Sequence, residues 1–327
     1  MRTEYENGSP RVNLTKFKKT SKTTGLAEMT SFRFEGIYPM LYAFFDADGQ
    51  LDRDACRKQV DACIAAGSHG LAVGGLATEC NKLTTIEKRQ LSDWVLSDAA
   101  GRVPVSVTIS EPTISGQIEM IQAASGNGAA WVVLQPPPVK SASEAELIKF
   151  FGQVADDSPV PVGIQNAPQF IGIGLTDAGL IELNNRHPNV SILKAEGDAV
   201  LSGQLAAASA GTFDLFNGRN GIDLLDTLRA GFAGVIPSSD TVDVEARIYN
   251  LYRAGKHGEA EREFKEILPL LTFLMISLEH LICYGKRLTA RRIGIENVFD
   301  RTPAKAPTAF GLEVLSHWSR DLGRLES

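Results

Sequence analysis

Lys194 is the residue whose setting points most directly to chemistry. It closes the run Ser191-Ile192-Leu193 and is followed by Ala195, Glu196 and Gly197, so an amine stands at the end of an apolar strand interior. Desolvation disfavours a charged ammonium, and a lysine that loses its proton can attack a ketone and form a Schiff base. The same side chain can instead snorkel to water or pair with Glu196 or Asp198, and spacing alone leaves both readings open. Glu196 lies two residues further on, which on an extended strand gives it the same facing as Lys194. It is a candidate acid or base, or a counter-ion that only sets the protonation of the amine.

Other polar residues end apolar runs in the same way. Ala77, Thr78 and Glu79 follow the run 70–75, Gln165 and Asn166 end 159–166, and Ser238, Ser239 and Asp240 close 233–240. Asn217, Arg219 and Asn220 lie in Phe-Asn-Gly-Arg-Asn-Gly. Arg219 suits a carboxylate or vicinal hydroxyls, although Asn and Gly at this density also build a turn that tolerates positive φ. Thr78, with neighbouring backbone N–H groups, is a candidate holder of a carboxylate, and Ser238 a candidate hydrogen-bonding contact. Cys80 sits nearby without a histidine base in the pattern, which disfavours a thiol nucleophile. Four cysteines without CxxC spacing and five scattered histidines suggest neither a disulfide framework nor a metal site, and the thiols are expected to be reduced.

The elements that must position these residues alternate. Strand candidates fall at 36–45, 70–75, 103–110, 129–136, 159–166, 190–197, 212–219 and 233–240. Amphipathic stretches at 53–66, 84–100, 113–125, 144–155, 176–186, 199–209 and 221–230 separate them, several opened by a capping Ser, Thr or Asp. Near-continuously apolar strands indicate burial on both faces, and eight β-α units fit an α/β fold of the (β/α)8 TIM barrel type, whose site lies at the C-terminal ends of the strands. A doubly wound sheet is the alternative. It lacks support, because Gly172-Ile173-Gly174 has no third glycine and follows the fifth strand. The sequence thus divides into an N-terminal arm expected to be loose (1–31), a barrel (32–241) and a C-terminal helical region (242–327) with helices over 242–255, 258–284 and 311–325. These last helices pad the barrel wall or add an oligomer interface.

The chain has 327 residues, 43% hydrophobic and 22% charged, as in globular proteins. Thirty-three Lys+Arg against thirty-nine Asp+Glu leave a net charge of −6, a poor match to a polyanion, so nucleic acid is not an expected partner. No run is long and apolar enough to span a membrane and the first 31 residues hold no apolar signal core, which predicts a cytoplasmic protein.

Four segments together carry a resemblance: Gly36 to Gly49, Gly74 to Glu79, Gln165-Asn166-Ala167-Pro168 and Leu193-Lys194-Ala195-Glu196. In order and spacing the chain resembles the dihydrodipicolinate synthase / N-acetylneuraminate lyase family of class I Schiff-base lyases over roughly residues 34–325. The resemblance implies a barrel with a C-terminal helical cap, a homo-oligomer (dimer or tetramer), and a small 2-keto acid substrate held as an imine on Lys194 with no separate cofactor.

The departures from that pattern are informative. Where the synthases and aldolases of the family place a proton-shuttling tyrosine, this chain has Gln165, which has no ionisable proton and can only orient a water or a hydroxyl. The paired hydroxyl residues of the strand-two motif are Leu76 and Ala77, a second tyrosine position falls within Pro136-Pro137-Pro138, and a substrate-gripping arginine expected near Gln169-Phe170 is absent. A glutamine at this position is similar to the 2-keto-3-deoxy sugar acid dehydratase branch. The expectation is dehydration of such an acid, with dihydrodipicolinate synthesis or pyruvate-dependent aldol chemistry as the first alternative and a non-catalytic keto-acid-binding barrel as the second.

Overall fold

Strands and helices alternate through most of the chain: β1 (Gly36–Ile37), α1 (Arg53–Ala65), β2 (Leu71–Val73), α2 (Thr85–Ala99), β3 (Val105–Ile109), α3 (Ile114–Gly126), β4 (Trp131–Leu134), α4 (Glu144–Asp156), β5 (Val162–Asn166), α5 (Pro168–Ile171), α6 (Asp177–Arg186), β6 (Val190–Ala195), α7 (Ala199–Ser209), β7 (Asp214–Asn217), α8 (Leu224–Ala230), β8 (Gly234–Val235) and α9 (Val242–Arg253). Three further helices follow, α10 (His257–Leu274), α11 (Leu278–Arg292) and α12 (Ala309–Trp318). The structure is a computed structural model and describes residues 33–325. The expected arm over 1–31 lies outside the described residues.

Strands β2 to β8 pair in parallel, each with its sequence neighbour, and β8 pairs with β1. Met40 bridges to Ala72 on β2 and to Ser238 beyond β8, which closes the sheet into the expected TIM barrel. β1 and β8 hold only two residues in regular pairing because the chain after each turns into loops at the barrel mouth. The helices start where local chemistry dictates. Thr84 with Glu87 and Ser143 with Glu146 form capping boxes, and Asp52, Thr113, Thr176 and Asp198 each accept a backbone N–H of the first turn.

Period two sorts the strand side chains. Tyr38, Trp131 and Phe216, from strands that are not neighbours, meet inside the barrel with ring centroids 5.3–5.7 Å apart. Phe34 stacks on Trp131 at 5.7 Å. Lys194 is paired in register with Phe216 on one side and Gln165 on the other, so all three face this interior. The aromatic cluster therefore walls in the barrel around the lysine.

α9 follows β8 and packs on β1 and α8, taking the eighth place in the helix ring, so the extension proper begins at α10. The single helix expected over 258–284 is two. Ser277 is extended (φ −158°, ψ 166°) and its hydroxyl accepts the His280 N–H, a local cap that ends one helix and starts the next despite the continuous apolar pattern. α12 likewise spans Ala309–Trp318 rather than 311–325.

Candidate active site

β5 and β6 end side by side, and their last inward residues form one hydrogen-bonded row. Lys194 Nζ lies 2.5 Å from Glu196 Oε1, and Gln165 Nε2 donates to the same oxygen at 3.0 Å. Gln135, at the end of β4, donates from Nε2 to Gln165 Oε1 at 2.9 Å. Gln117 donates to the Gln135 carbonyl, so the row is anchored from α3 as well. All four members of the row are buried, with Lys194 5% and Glu196 6% exposed, which leaves just enough opening for a small molecule to reach them.

That opening is a small cavity lined by Lys194 and Glu196 together with residues from the chain after β1, the strand-two loop, the strand-seven and strand-eight loops and α11. Its rim is largely apolar, from Met40, Leu76, Phe170, Met275, Leu278 and Leu281. Gly218 makes room for Glu196: a Cβ there would lie 2.7 Å from the Glu196 carboxyl carbon. The arrangement can do nucleophilic and single-base chemistry. An amine and a carboxylate share a cavity, and the amide that touches the carboxylate can orient but not titrate. Cys80 packs 3.9 Å from Gln135, and burial pushes its thiol up, which keeps it protonated. Among the described residues no cluster of three or more His, Cys, Asp or Glu could hold a metal ion.

A family model described as dihydrodipicolinate synthetase matches residues 33–299, which contain every strand of this barrel and the whole lysine row. The chain belongs to the dihydrodipicolinate synthetase family. Members of that family are class I lyases and aldolases, and the chain is an enzyme of this kind. Among its relatives, the L-2-keto-3-deoxyarabonate dehydratase of Azospirillum brasilense is 29% identical over 73% of this chain and 79% of its own length. A 4-hydroxy-tetrahydrodipicolinate synthase of Stenotrophomonas maltophilia R551-3 is 28% identical over 89% and 97%. Among solved structures, YagE of Escherichia coli K12, described as a prophage protein of the dihydrodipicolinic acid synthase family and in complex with pyruvate, superposes with a TM-score of 0.80 at 25% identity, covering 89% of this chain and 99% of that one.

Within the family frame the residues singled out from the sequence divide in two. Ala77, Lys194, Glu196, Arg219, Asn220 and Ser238 line the cavity, and Gln165 stands directly behind Glu196. Four others do not reach it. The Thr78 hydroxyl donates to the Leu41 carbonyl at 2.7 Å and accepts the Gly74 N–H at 3.1 Å, so it ties β2 to the chain after β1 and has nothing left for a carboxylate. Glu79, in left-handed backbone (φ 60°), pairs with Lys286 of α11 and, at 2.6 Å, with Lys82. Asn166 clips the loop after β5 through both bonds to Leu175. Asn217 is in register with Ala195, not Lys194, and therefore faces outward, where it donates to the Gly197 carbonyl and to Ser202 of α7. A strand residue one position away from an inward one points to the helices.

Two participants were missed. Gln135 ends the apolar strand β4 just as Gln165 ends β5, so the same criterion applied to that strand would have found it. Tyr42, whose hydroxyl donates to Asp240 Oδ2 at 2.8 Å beside the cavity, gives no sequence signal, because its partner is far along the chain.

Proposed function

We propose that this protein is a lyase that forms an imine between Lys194 and the C2 carbonyl of a 2-keto acid, and that its reaction is the dehydration of a 2-keto-3-deoxy sugar acid. The carrying observation is the lysine row itself: a carboxylate in contact with the amine, held by an amide instead of a phenol. The Lys194 amine adds to C2 and the adduct loses water to give the imine, whose positive nitrogen acidifies C3. Glu196 takes the C3 proton, and the C–H electron pair flows toward nitrogen to give an enamine. Return of that pair expels the C4 hydroxyl, which leaves as water with one proton, and hydrolysis of the unsaturated imine frees Lys194. No cofactor is required in this scheme beyond the covalent lysine. The sequence asks for one base and one acid, which Glu196 can serve in turn. Condensation onto a carbon electrophile would need the hydroxyl relay whose positions hold Leu76, Ala77, Pro138 and Gln165.

The name of the Azospirillum relative supports the dehydratase reading, and that of the Stenotrophomonas relative supports a synthase as the rival. The two are separated by assaying purified protein with a panel of 2-keto-3-deoxypentonates and hexonates, with detection of the dehydrated product, beside condensation of pyruvate with aspartate semialdehyde. Faster dehydration is expected. A clearly faster condensation would reverse the choice, and no turnover in either arm would favour a binding barrel.

A further inference from the structure

A primary amide has a donating and an accepting end, so a row of amides has a direction. In the row that ends on Glu196 the direction is forced from the carboxylate. Glu196 Oε1, when ionised, can only accept, and it receives Lys194 Nζ at 2.5 Å and Gln165 Nε2 at 3.0 Å. The nitrogen of Gln165 therefore faces Glu196, and its Oε1 faces Gln135, which must donate. Gln135 Nε2 does so at 2.9 Å. The amide oxygen of Gln135 is left toward Cys80, whose Sγ lies 3.9 Å away. Burial keeps that thiol protonated, so a donor stands at the head of the row as well.

The backbone of Gln135 is tied down at both of its polar groups. Its N–H donates to the Ile109 carbonyl at 2.9 Å, and its carbonyl receives Gln117 Nε2 at 3.0 Å, which also donates to the Glu111 carbonyl at 2.9 Å. Gln117, Gln135 and Gln165 are all buried, so little water competes for their amides. At the far end both donors go to the same oxygen of Glu196. None of the described residues donates to Glu196 Oε2, and that atom is not sealed from solvent, so it is the oxygen a substrate can reach.

We propose that Gln135 is a positioning residue for the base: through Gln165 it fixes a one-way row of hydrogen bonds that ends on Glu196 Oε1 and leaves Oε2 as the atom that takes the C3 proton. Gln135 does not line the cavity and acts only through Gln165. Hydrogen bonds to an ionised carboxyl favour that form, so donors aimed at Oε1 keep Glu196 ready for a proton at Oε2. Turning the amides round would set an acceptor against Oε1. Glu196 could meet that acceptor only by carrying a proton itself, and a protonated Glu196 is no base. The titratable groups around the row are Lys194, Glu196 and Cys80, with the Lys88–Glu111 pair behind Cys80 and the Arg219–Asp223 pair beside the cavity.

This rests on the imine reading of Lys194, and two readouts on each preparation separate the two. Borohydride trapping with pyruvate reports the imine, and exchange of the pyruvate C3 protons for deuterium in D2O, followed by NMR, reports the base. Gln135→Met and Gln135→Glu should each still trap the adduct. Gln135→Met, which removes the donor at similar volume, should slow exchange about tenfold. Gln135→Glu is the sharper test. Ionised, its carboxylate can only accept, so it turns Gln165 round, and exchange should fall on the order of 10²-fold near neutral pD. Protonated, it donates again, so exchange should recover as the pD falls through the carboxyl range, where the wild type loses exchange because Glu196 protonates. Exchange by Gln135→Met at the wild-type rate, or a Gln135→Glu profile of wild-type shape, overturns the one-way row. So does loss of the adduct in both variants, since Gln135 would then serve the lysine or the fold. A wild type that traps pyruvate without exchanging C3 overturns Glu196 as the base, and one that traps nothing overturns the imine reading instead.

Discussion

Gln165 is held at both ends of its amide, accepting from Gln135 and donating to Glu196, so its role can be separated from that of Lys194. Gln165→Ala should still form a reduced-imine adduct with pyruvate while turnover falls on the order of 10²-fold, because a misplaced carboxylate of about 1 Å suffices for such a loss. Mass spectrometry and a product assay on one preparation check both halves. Gln165→Tyr should not create condensation activity, since Leu76, Ala77 and Pro138 leave the phenol without partners. Gly218→Ala should also cut turnover, as its Cβ would displace the Glu196 carboxyl. At this scale the sequence was most legible on β6, where period two put Lys194 and Glu196 on one face, and on β5, where the family pattern singled out Gln165. It was least legible for Thr78 and Asn217, whose hydroxyl and amide are occupied by main-chain groups that no spacing rule reveals.

Between elements, the segment after α11 is pinned to the start of α2. Arg301 donates to Glu87, which also closes the capping box with Thr84, and these contacts hold the Glu87 carboxyl down to about 2. A folded-state value below the unfolded one contributes stability that is present above the unfolded pKa of about 4.5 and lost as pH falls toward 2. Glu87→Gln should therefore lower the unfolding free energy at pH 7 by about 1–2 kcal/mol, discounted for partial exposure, with the difference from wild type shrinking below pH 4. Denaturant titrations at pH 7 and pH 3 measure it, and an equal deficit at both values would sink the attribution. The strands and the first seven helices could be read from alternation of period two with period 3.6. The break at Ser277 could not, since a single capping serine interrupts an apolar stripe that runs on through α10 and α11.

Across the whole molecule, the C-terminal helices are part of the site. Leu278 and Leu281 of α11 line the cavity, and Lys286 of the same helix is buried against Glu79 in the strand-two loop, its ammonium 5.2 Å above the Phe45 ring. Burial lowers the Lys286 pKa while Glu79 opposes that shift, and removing the lysine would leave the buried Glu79 carboxylate with Lys82 alone. Lys286→Met should destabilise the fold by about 1–3 kcal/mol, seen as a drop in the thermal midpoint, whereas a surface pair such as Arg186–Glu182 should give little when removed. The barrel and its appended helices were legible as architecture, but this coupling joins residues from opposite ends of the chain and had no local signature. The claim on which all else depends is the imine at Lys194. The direct measurement is borohydride reduction in the presence of pyruvate, followed by peptide mapping. The account predicts the added mass of reduced pyruvate on the peptide containing Lys194 and none in Lys194→Ala. An adduct that persists in Lys194→Ala, or its absence from the wild type, would contradict it.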